Sequence, residues 1–377
     1  MKLKTAIIVI SVFFSSFLFF SFPIIQNTVP FESDEMYWIN TAKIVPLLLQ
    51  KDYTDIFWNE YYGFTNFNTA KFIFGIGLPV FGHSDFSKTG VPPQTYYNWM
   101  PYEGAMFPAS HALYTTLRDA RLISALFTAI SVSILYLCIW YTTHSSVLGL
   151  IAAFLLASHP IVTTIATHAF ADGIFLMFET LLCLLLMNVY RKQNILLSGI
   201  VLAFLVGTKL NGLLFVPFAL AVIVYRYNSL PTNVYIAGVV ALIFTVTFLL
   251  IHPNLFFYKQ LTLSGMLQNR LQITDEHIAY FSQHDPSHVI LNMSDRILSS
   301  LKHLFTPWLT AVALLSLFFR HISYRNSKTR RIEGTSIFDY GLLYIWIGVL
   351  TYCVFDEPRY FLPVLPLLII AILTHRV

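Results

Sequence analysis

Long apolar runs separated by short polar breaks set the architecture of this chain. The first run, residues 5–25, follows Lys2 and Lys4 and is about 20 residues long, enough to cross a hydrocarbon core of ~30 Å. It has no small-residue cleavage site before Pro23, so it is expected to be an uncleaved first span rather than a removed signal peptide. Further apolar runs lie at 121–141, 147–159, 173–189, 195–208, 212–225, 233–251, 304–319, 338–355 and 361–374. Together they predict an all-α polytopic membrane protein of about ten spans. Several runs are short for the core thickness. A short span fits a tilted or broken helix lining a cavity, where irregular backbone is tolerated.

Between the spans lie two long polar segments, 26–119 and 252–303. The first holds nine of the nineteen acidic residues, and a loop of that length is usually functional or separately structured. It is also rich in aromatics, among them Tyr53, Phe57, Trp58, Tyr61, Tyr62, Phe64, Phe67, Phe72, Phe74, Tyr96, Tyr97, Trp99 and Tyr102. Rings of this kind suit helices lying along the membrane interface, and some of them suit the lining of a sugar or lipid groove. The whole chain, 1–377, reads as one transmembrane domain, with no soluble domain expected after the last span.

Composition sharpens this picture. Hydrophobic residues make up 56% of the chain and charged residues 11%, whereas a soluble domain carries roughly a quarter charged residues. The formal charge of +4 is too small for a nucleic-acid footprint. Cys138, Cys183 and Cys353 all stand within apolar runs and read as buried small hydrophobes. With the N-terminus cytoplasmic, Arg191, Lys192, Arg226, the cluster Arg320/Arg325/Lys328/Arg330/Arg331 and Arg376 fall on the cytoplasmic side. The positive-inside rule therefore places both termini inside. The two long loops and the turn 356–360 then share the outer face.

Against this background, charges at the outer membrane level are candidates for function. Ser33-Asp34-Glu35 followed by 36–50 reads as an N-cap, two early carboxylates and a helix. Helix-dipole complementation alone would be worth only ~0.3–1 kcal/mol for each carboxylate. Four further groups occupy the same face: Lys71 in an apolar stretch, Asp172 opening a span, Lys209 between two spans, and Arg359 closing the turn Asp356-Glu357-Pro358-Arg359-Tyr360. Each one alone suits a snorkelling or paired side chain. The set suits a phosphorylated amphiphile whose head group is neutralised while a carboxylate handles a hydroxyl.

Several segments, in order along the chain, resemble a known family. Asp34-Glu35-Met36-Tyr37-Trp38-Ile39-Asn40-Thr41-Ala42 is similar to the Asp-Glu motif in the first outer loop of GT-C membrane glycosyltransferases. The branch it resembles is glycosyltransferase family 39 and its relatives, the protein O-mannosyltransferases and aminoarabinose transferases. Asn68-Thr69-Ala70-Lys71-Phe72 stands where that family has a His-Pro-Pro-Leu-x-Lys-like segment; the lysine matches and the His-Pro-Pro does not. Ala120-Arg121-Leu122, Ala169-Phe170-Ala171-Asp172-Gly173, Gly207-Thr208-Lys209-Leu210-Asn211-Gly212 and Arg359-Tyr360-Phe361-Leu362-Pro363 resemble later family segments.

The resemblance implies a GT-C-like helix bundle, a polyprenyl-phosphate sugar donor and an acceptor hydroxyl on a protein, lipid or glycan. By position on the motif it implies Asp34 as base, with Glu35 orienting it or contacting the acceptor. One base and direct displacement would invert the anomeric centre. Lys71 and Arg359, with Arg121 and Lys209, become the clamp for the lipid phosphate, and Asp172 a positioning group for one of those cations. The expected location is the plasma or inner membrane, with the site on the outer face.

No metal ligand set is assigned, although some relatives use a divalent metal and others do not. His277 and His284 stand seven apart and would share a helix face, but Pro286 follows closely and a solvated, capped loop is expected. His111 reads as core or interfacial packing. Asn292-Met293-Ser294 fits the glycosylation sequon. Two rival functions stand beside the enzyme: a lipid-linked glycan transporter or flippase, and a non-catalytic assembly subunit of the same fold. A transporter predicts inverted repeats and charges near mid-span; here the charges cluster at the outer level, with Glu179 the main exception.

Overall fold

A computed structural model describes residues 3–42, 45, 49, 69–83, 104–106, 113–188, 192–226, 230–252, 274–275, 278–279, 281–283, 286–290, 292–326 and 336–374. In chain order the helices are α1 (Leu3–Ile25), α2 (Ser33–Thr41), α3 (Thr69–Val80), α4 (Tyr114–Thr143), α5 (Ser146–Ala157), α6 (Pro160–Thr167) and α7 (Asp172–Met187). There follow α8 (Lys192–Val206), α9 (Phe215–Arg226), α10 (Leu230–Ile251), α11 (Met293–Leu304), α12 (Pro307–Asn326), α13 (Ser336–Tyr352) and α14 (Leu365–Thr374). Short 3-10 turns lie at Leu210–Leu214, Pro286–His288 and Pro358–Val364. Among the described residues the only β pairing is an isolated bridge between Val289 and Phe355.

Helix α4 is the hub. It packs against α1, α5, α6 and α7, and its first turns meet α2 and α3. Small residues on α4 make these close approaches possible. Thr128, Ser131 and Ser133 turn their hydroxyls back onto the carbonyls of Ser124, Phe127 and Ala129, so buried polar groups are satisfied within the helix and add no bulk. Gly173 near the start of α7 sits on this surface. A Cβ there would lie 2.6 Å from Thr128 Oγ1 and 3.0 Å from Ser124 O.

The outward faces are apolar. On α1, Ile7, Ile10, Phe14, Leu18 and Phe22 are exposed while Val12, Ser16, Phe20 and Ile24 are buried. On α10, Val234, Leu242, Val246 and Leu250 are exposed. Contiguous exposed apolar surface of this kind is costly in water and favourable against lipid. Among the described residues three helices are each long and apolar enough to cross a membrane: Leu3–Ile25, Tyr114–Thr143 and Val234–Ile251. A fourth candidate is α5 with α6, bent by 65° at the break. Thr69–Val80, Gln193–Val206, Leu210–Tyr225, Pro307–Ser316 and Pro358–Thr374 are shorter apolar helices.

The expected span 147–159 is thus the first limb of a broken pair. The break is built by His159 and Pro160. Pro160 stands at the start of α6, where a missing N–H costs little. His159 Nδ1 accepts from Ile161 N–H at 3.3 Å, so its Nε2 donates to Leu304 O at 3.1 Å and ties the bend to α11.

Two local expectations are corrected. The N-cap of α2 is Glu32, and Ser33 is the first helical residue. The expected helix 36–50 is described continuously as helix only to Thr41. Of the loop aromatics, Phe72 and Phe74 lie in α3; the others fall outside the described residues, as do His111, His277 and His284.

Gly173→Ala is expected to lower the thermal unfolding midpoint of the detergent-purified protein, because the added methyl overpacks the α4–α7 contact at a cost of about 1–3 kcal/mol. Gly238→Ala in α10, where a Cβ meets nothing within 4 Å, should leave that midpoint undiminished.

Candidate active site

The start of α2 is held by a buried ion pair. Arg121, on α4, donates from Nε to Glu35 Oε1 and from Nη2 to Glu35 Oε2, both at 2.7 Å. The two side chains are 3% and 0% exposed. Glu35 also accepts from Ala169 N–H at 2.8 Å and Glu32 N–H at 3.1 Å. Arg121 adds bonds to Val29 O at 3.1 Å and Pro30 O at 2.9 Å. A buried charge pair is tolerated when its geometry is bidentate and its remaining lone pairs and protons are satisfied, and both conditions hold here. The fork thereby ties together residues 29–35, α4 and the 168–170 segment. Glu35 was expected to orient Asp34 or contact the acceptor, and Arg121 to join the phosphate clamp; in the structure each is engaged with the other and with backbone.

The next ring of charges is more open. Arg359 Nη2 donates to Asp34 Oδ2 at 2.7 Å, with Arg359 23% and Asp34 38% exposed. Arg359 Nε lies 3.3 Å from Glu357 Oε1, and the guanidinium sits over the Phe170 ring, 5.0 Å from its centroid. Burial opposes the Arg359 charge, yet Asp34, Glu357 and Asp172 together hold its pKa well above the ordinary guanidinium value. Lys209 donates to Asp172 Oδ1 at 2.7 Å. Asp34, Asp172, Lys209 and Arg359, from four separate segments, are therefore brought together.

Lys71 is fully buried on α3. The first residue of that helix, Thr69, donates its N–H to Gly207 O at 2.9 Å. Gly207 has no room for a side chain: a Cβ would lie 2.5 Å from Thr69 Oγ1 and 3.2 Å from His252 Cε1. The glycine thus lets α3 dock on the junction that carries Lys209, and Lys71 is held near that junction.

The turn bearing Arg359 is anchored from α11. Asp356 Oδ1 accepts from Ser299 Oγ at 2.6 Å and His303 Nε2 at 2.7 Å. Arg296 donates to Ile290, Leu350 and Thr351 carbonyls. Burial works to raise the Asp356 carboxyl, but the bonds from Ser299 and His303 outweigh it and leave the pKa below its ordinary value. A depressed carboxyl contributes stability above its unfolded pKa and loses it as the pH falls through the folded one. The anchor is therefore complete at neutral pH.

Two residues that the sequence did not single out join the site. His168 Nε2 lies 3.6 Å from Glu32 Oε1, and the His168 ring stacks on Phe170 at 5.3 Å between centroids. Burial raises the Glu32 carboxyl above its ordinary range, with His168 and Arg359 pulling the other way. The available signal was position: His168 precedes the Ala169–Gly173 segment by one residue. Among the described residues no group of three His, Cys, Asp or Glu is placed to hold a metal ion.

The sequence model of the dolichyl-phosphate-mannose-protein mannosyltransferase family matches residues 106–251. The chain resembles the GT-C membrane glycosyltransferases. The match spans less than half of the chain; it includes Arg121, Asp172 and Lys209 and leaves Asp34, Glu35, Lys71 and Arg359 outside. No curated protein matches the sequence. The family likeness and the apolar helices together support an integral membrane glycosyltransferase of mannosyltransferase-like type.

Glu35→Ala in this mannosyltransferase-like protein is expected to cost about 3–5 kcal/mol, because it leaves a buried guanidinium without its carboxylate. Arg121→Lys should fail to restore stability, since an ammonium cannot reproduce the fork. Thermal unfolding in detergent checks both; a midpoint unchanged in Glu35→Ala would contradict the structural role of the pair.

Proposed function

We propose that the chain transfers a sugar from a polyprenyl-phosphate donor to an acceptor hydroxyl on the outer face of the plasma or inner membrane, with Asp34 as base and inversion at the anomeric carbon. The observation that carries this reading is the Asp34–Arg359 pair. It is partly exposed, unlike Glu35–Arg121, and it joins an acid to a cation that retains donors for other oxygens.

A glycosyl phosphate brings its own leaving group, so the site needs positive charge where the departing phosphate gathers negative charge, and a base for the hydroxyl. On this reading Arg359 turns donors toward two phosphate oxygens, and Lys209, held by Asp172, adds a point charge. As Arg359 shifts toward the phosphate, the Asp34 carboxylate loses part of its neutralising partner and becomes more basic. The acceptor hydroxyl gives its proton to Asp34, its oxygen bonds to the anomeric carbon, and the carbon–oxygen bond to the phosphate breaks with its electron pair on the lipid phosphate. Glu35 and Arg121 act by holding the α2 start. Lys71 is a further candidate cation on α3 beside the Gly207 junction, where full burial opposes its charge. The acceptor is a hydroxyl of a protein, lipid or glycan, and membrane lipids surround the bundle.

A lipid-linked glycan flippase remains the rival. The mid-span acid that would favour it, Glu179, is fully buried in α7, whereas the charged pairs gather around 34, 172, 209 and 359. A non-catalytic assembly subunit would bind the donor without turning it over.

The purified protein in nanodiscs, given labelled polyprenyl-phosphate sugars, should transfer or hydrolyse the sugar. Asp34→Asn should lower that turnover by about 10²–10⁴-fold, the usual worth of a general base, while its thermal midpoint stays near that of the wild type. Near-normal turnover in a folded Asp34→Asn protein would sink the base assignment. Donor binding with no turnover by the wild type would favour the rivals.

A further inference from the structure

His168 is held in a single orientation. Its segment is pinned by Ala169 N–H on Glu35 and by Ser124 Oγ on Phe170 O, and its ring stacks on Phe170. Nδ1 lies 2.9 Å from Thr164 O. A carbonyl oxygen only accepts, so Nδ1 carries the hydrogen, and in the neutral ring Nε2 is a lone pair. That Nε2 is buried, with the His168 side chain 7% exposed, and it has no hydrogen-bond partner among the described residues. Its nearest charged neighbour is Glu32 Oε1 at 3.6 Å, a second acceptor when ionised. With the ring neutral and Glu32 ionised both atoms are acceptors; Glu32 is met by a backbone N–H in its capping box, whereas nothing among the described residues donates to His168 Nε2. A buried polar atom in this state is costly unless something supplies a donor.

A hydroxyl supplies one. The place of this position relative to the phosphate clamp identifies which hydroxyl. Arg359 lies over the same Phe170 ring on which His168 stacks, and Glu32 stands two residues before Asp34, which Arg359 binds. Resting on the donor reading above, the sugar is joined directly to the phosphate that Arg359 would hold, so its ring hydroxyls come to lie beside that cation. We propose that His168 Nε2 and Glu32 form a sugar-recognition subsite that accepts a hydrogen bond from a hydroxyl of the donor sugar. A site built to receive a hydroxyl rejects an analogue that lacks it, because its own buried acceptors are then left without a donor. His168 would therefore set donor specificity, while Asp34 keeps the proton transfer.

Binding separates this proposal from the transfer reading. Labelled polyprenyl-phosphate sugar and the same polyprenyl phosphate without sugar would be titrated into the full chain in nanodiscs. The wild type should bind the sugar-bearing lipid tighter, and His168→Leu should erase that preference while leaving affinity for the bare lipid phosphate unchanged. His168→Gln, which keeps an acceptor oxygen, should restore part of the preference. In turnover, His168→Leu should raise the donor KM tenfold or more with kcat changed less than threefold; Glu32→Gln should move the same parameter. An undiminished sugar preference in folded His168→Leu overturns the subsite, as does an effect confined to the acceptor KM or an equal loss in His168→Leu and His168→Gln. Wild-type protein that binds the sugar-bearing lipid selectively and never turns it over would sink the transferase reading while sustaining the subsite.

Discussion

The Glu35–Arg121 fork is the interaction on which the rest of the charged cluster depends. Removing two charges from water is expensive, and Coulomb attraction alone does not reliably repay it. Here the cost is offset by geometry: four donors converge on the two Glu35 oxygens, and Arg121 reaches two further carbonyls. The pair is worth little as a generic stabiliser. Its consequence is positional. It fixes the first turn of α2 against α4 and the 168–170 segment, so Asp34, the neighbouring residue, has a defined place.

From that fixed point the charges become progressively more open. Glu35 and Arg121 are buried, Asp172 is buried with a partly exposed Lys209, and Asp34 and Arg359 are both partly exposed. Ion pairs near solvent are individually weak, which makes them suited to exchange partners when a ligand arrives. A buried, fully bonded fork has no such freedom. The same pairing motif therefore serves as scaffold in one position and, on the proposed reading, as reactive surface in another, and the difference lies in exposure and in the number of bonds each group makes.

Much of the bundle was legible from hydropathy. The runs 5–25 and 233–251 correspond closely to α1 and α10, and 173–189 to α7. What hydropathy loses is any helix extending beyond the apolar layer. Helix α4 begins at Tyr114, seven residues before the expected 121, because Thr115, Thr116, Arg118 and Asp119 are polar and break the hydropathic signal. Amphipathic α11 was missed for the same reason: its buried residues Ser299, Ser300 and Leu304 are mostly small and polar. Charge at a membrane level singled out Asp34, Asp172, Lys209 and Arg359, which the structure pairs with one another. It could not tell which cation meets which acid, since the partners stand 325 residues apart in one pair and 37 in another. Nor could it separate a locked pair from an exchangeable one, because that depends on neighbouring carbonyls and amides rather than on side-chain type.

The balance of charge bears directly on how an anion would be accepted. Around Phe170 stand five carboxylates, those of Glu32, Asp34, Glu35, Asp172 and Glu357, and three permanent cations, Arg121, Lys209 and Arg359. Among the described residues the carboxylates of this cluster outnumber its permanent cations, so an incoming lipid phosphate needs a cation released from its carboxylate. Attraction within this cluster then comes from re-pairing at short range. Re-pairing is available at Arg359, which already touches two carboxylates. Burial raises the Glu32 carboxyl against the pull of His168 and Arg359, so its negative charge beside that cation is held at a cost. On the proposed reading the pair that holds Arg359 at rest is the one that opens to a phosphate, so its partial exposure matters as much as its charge.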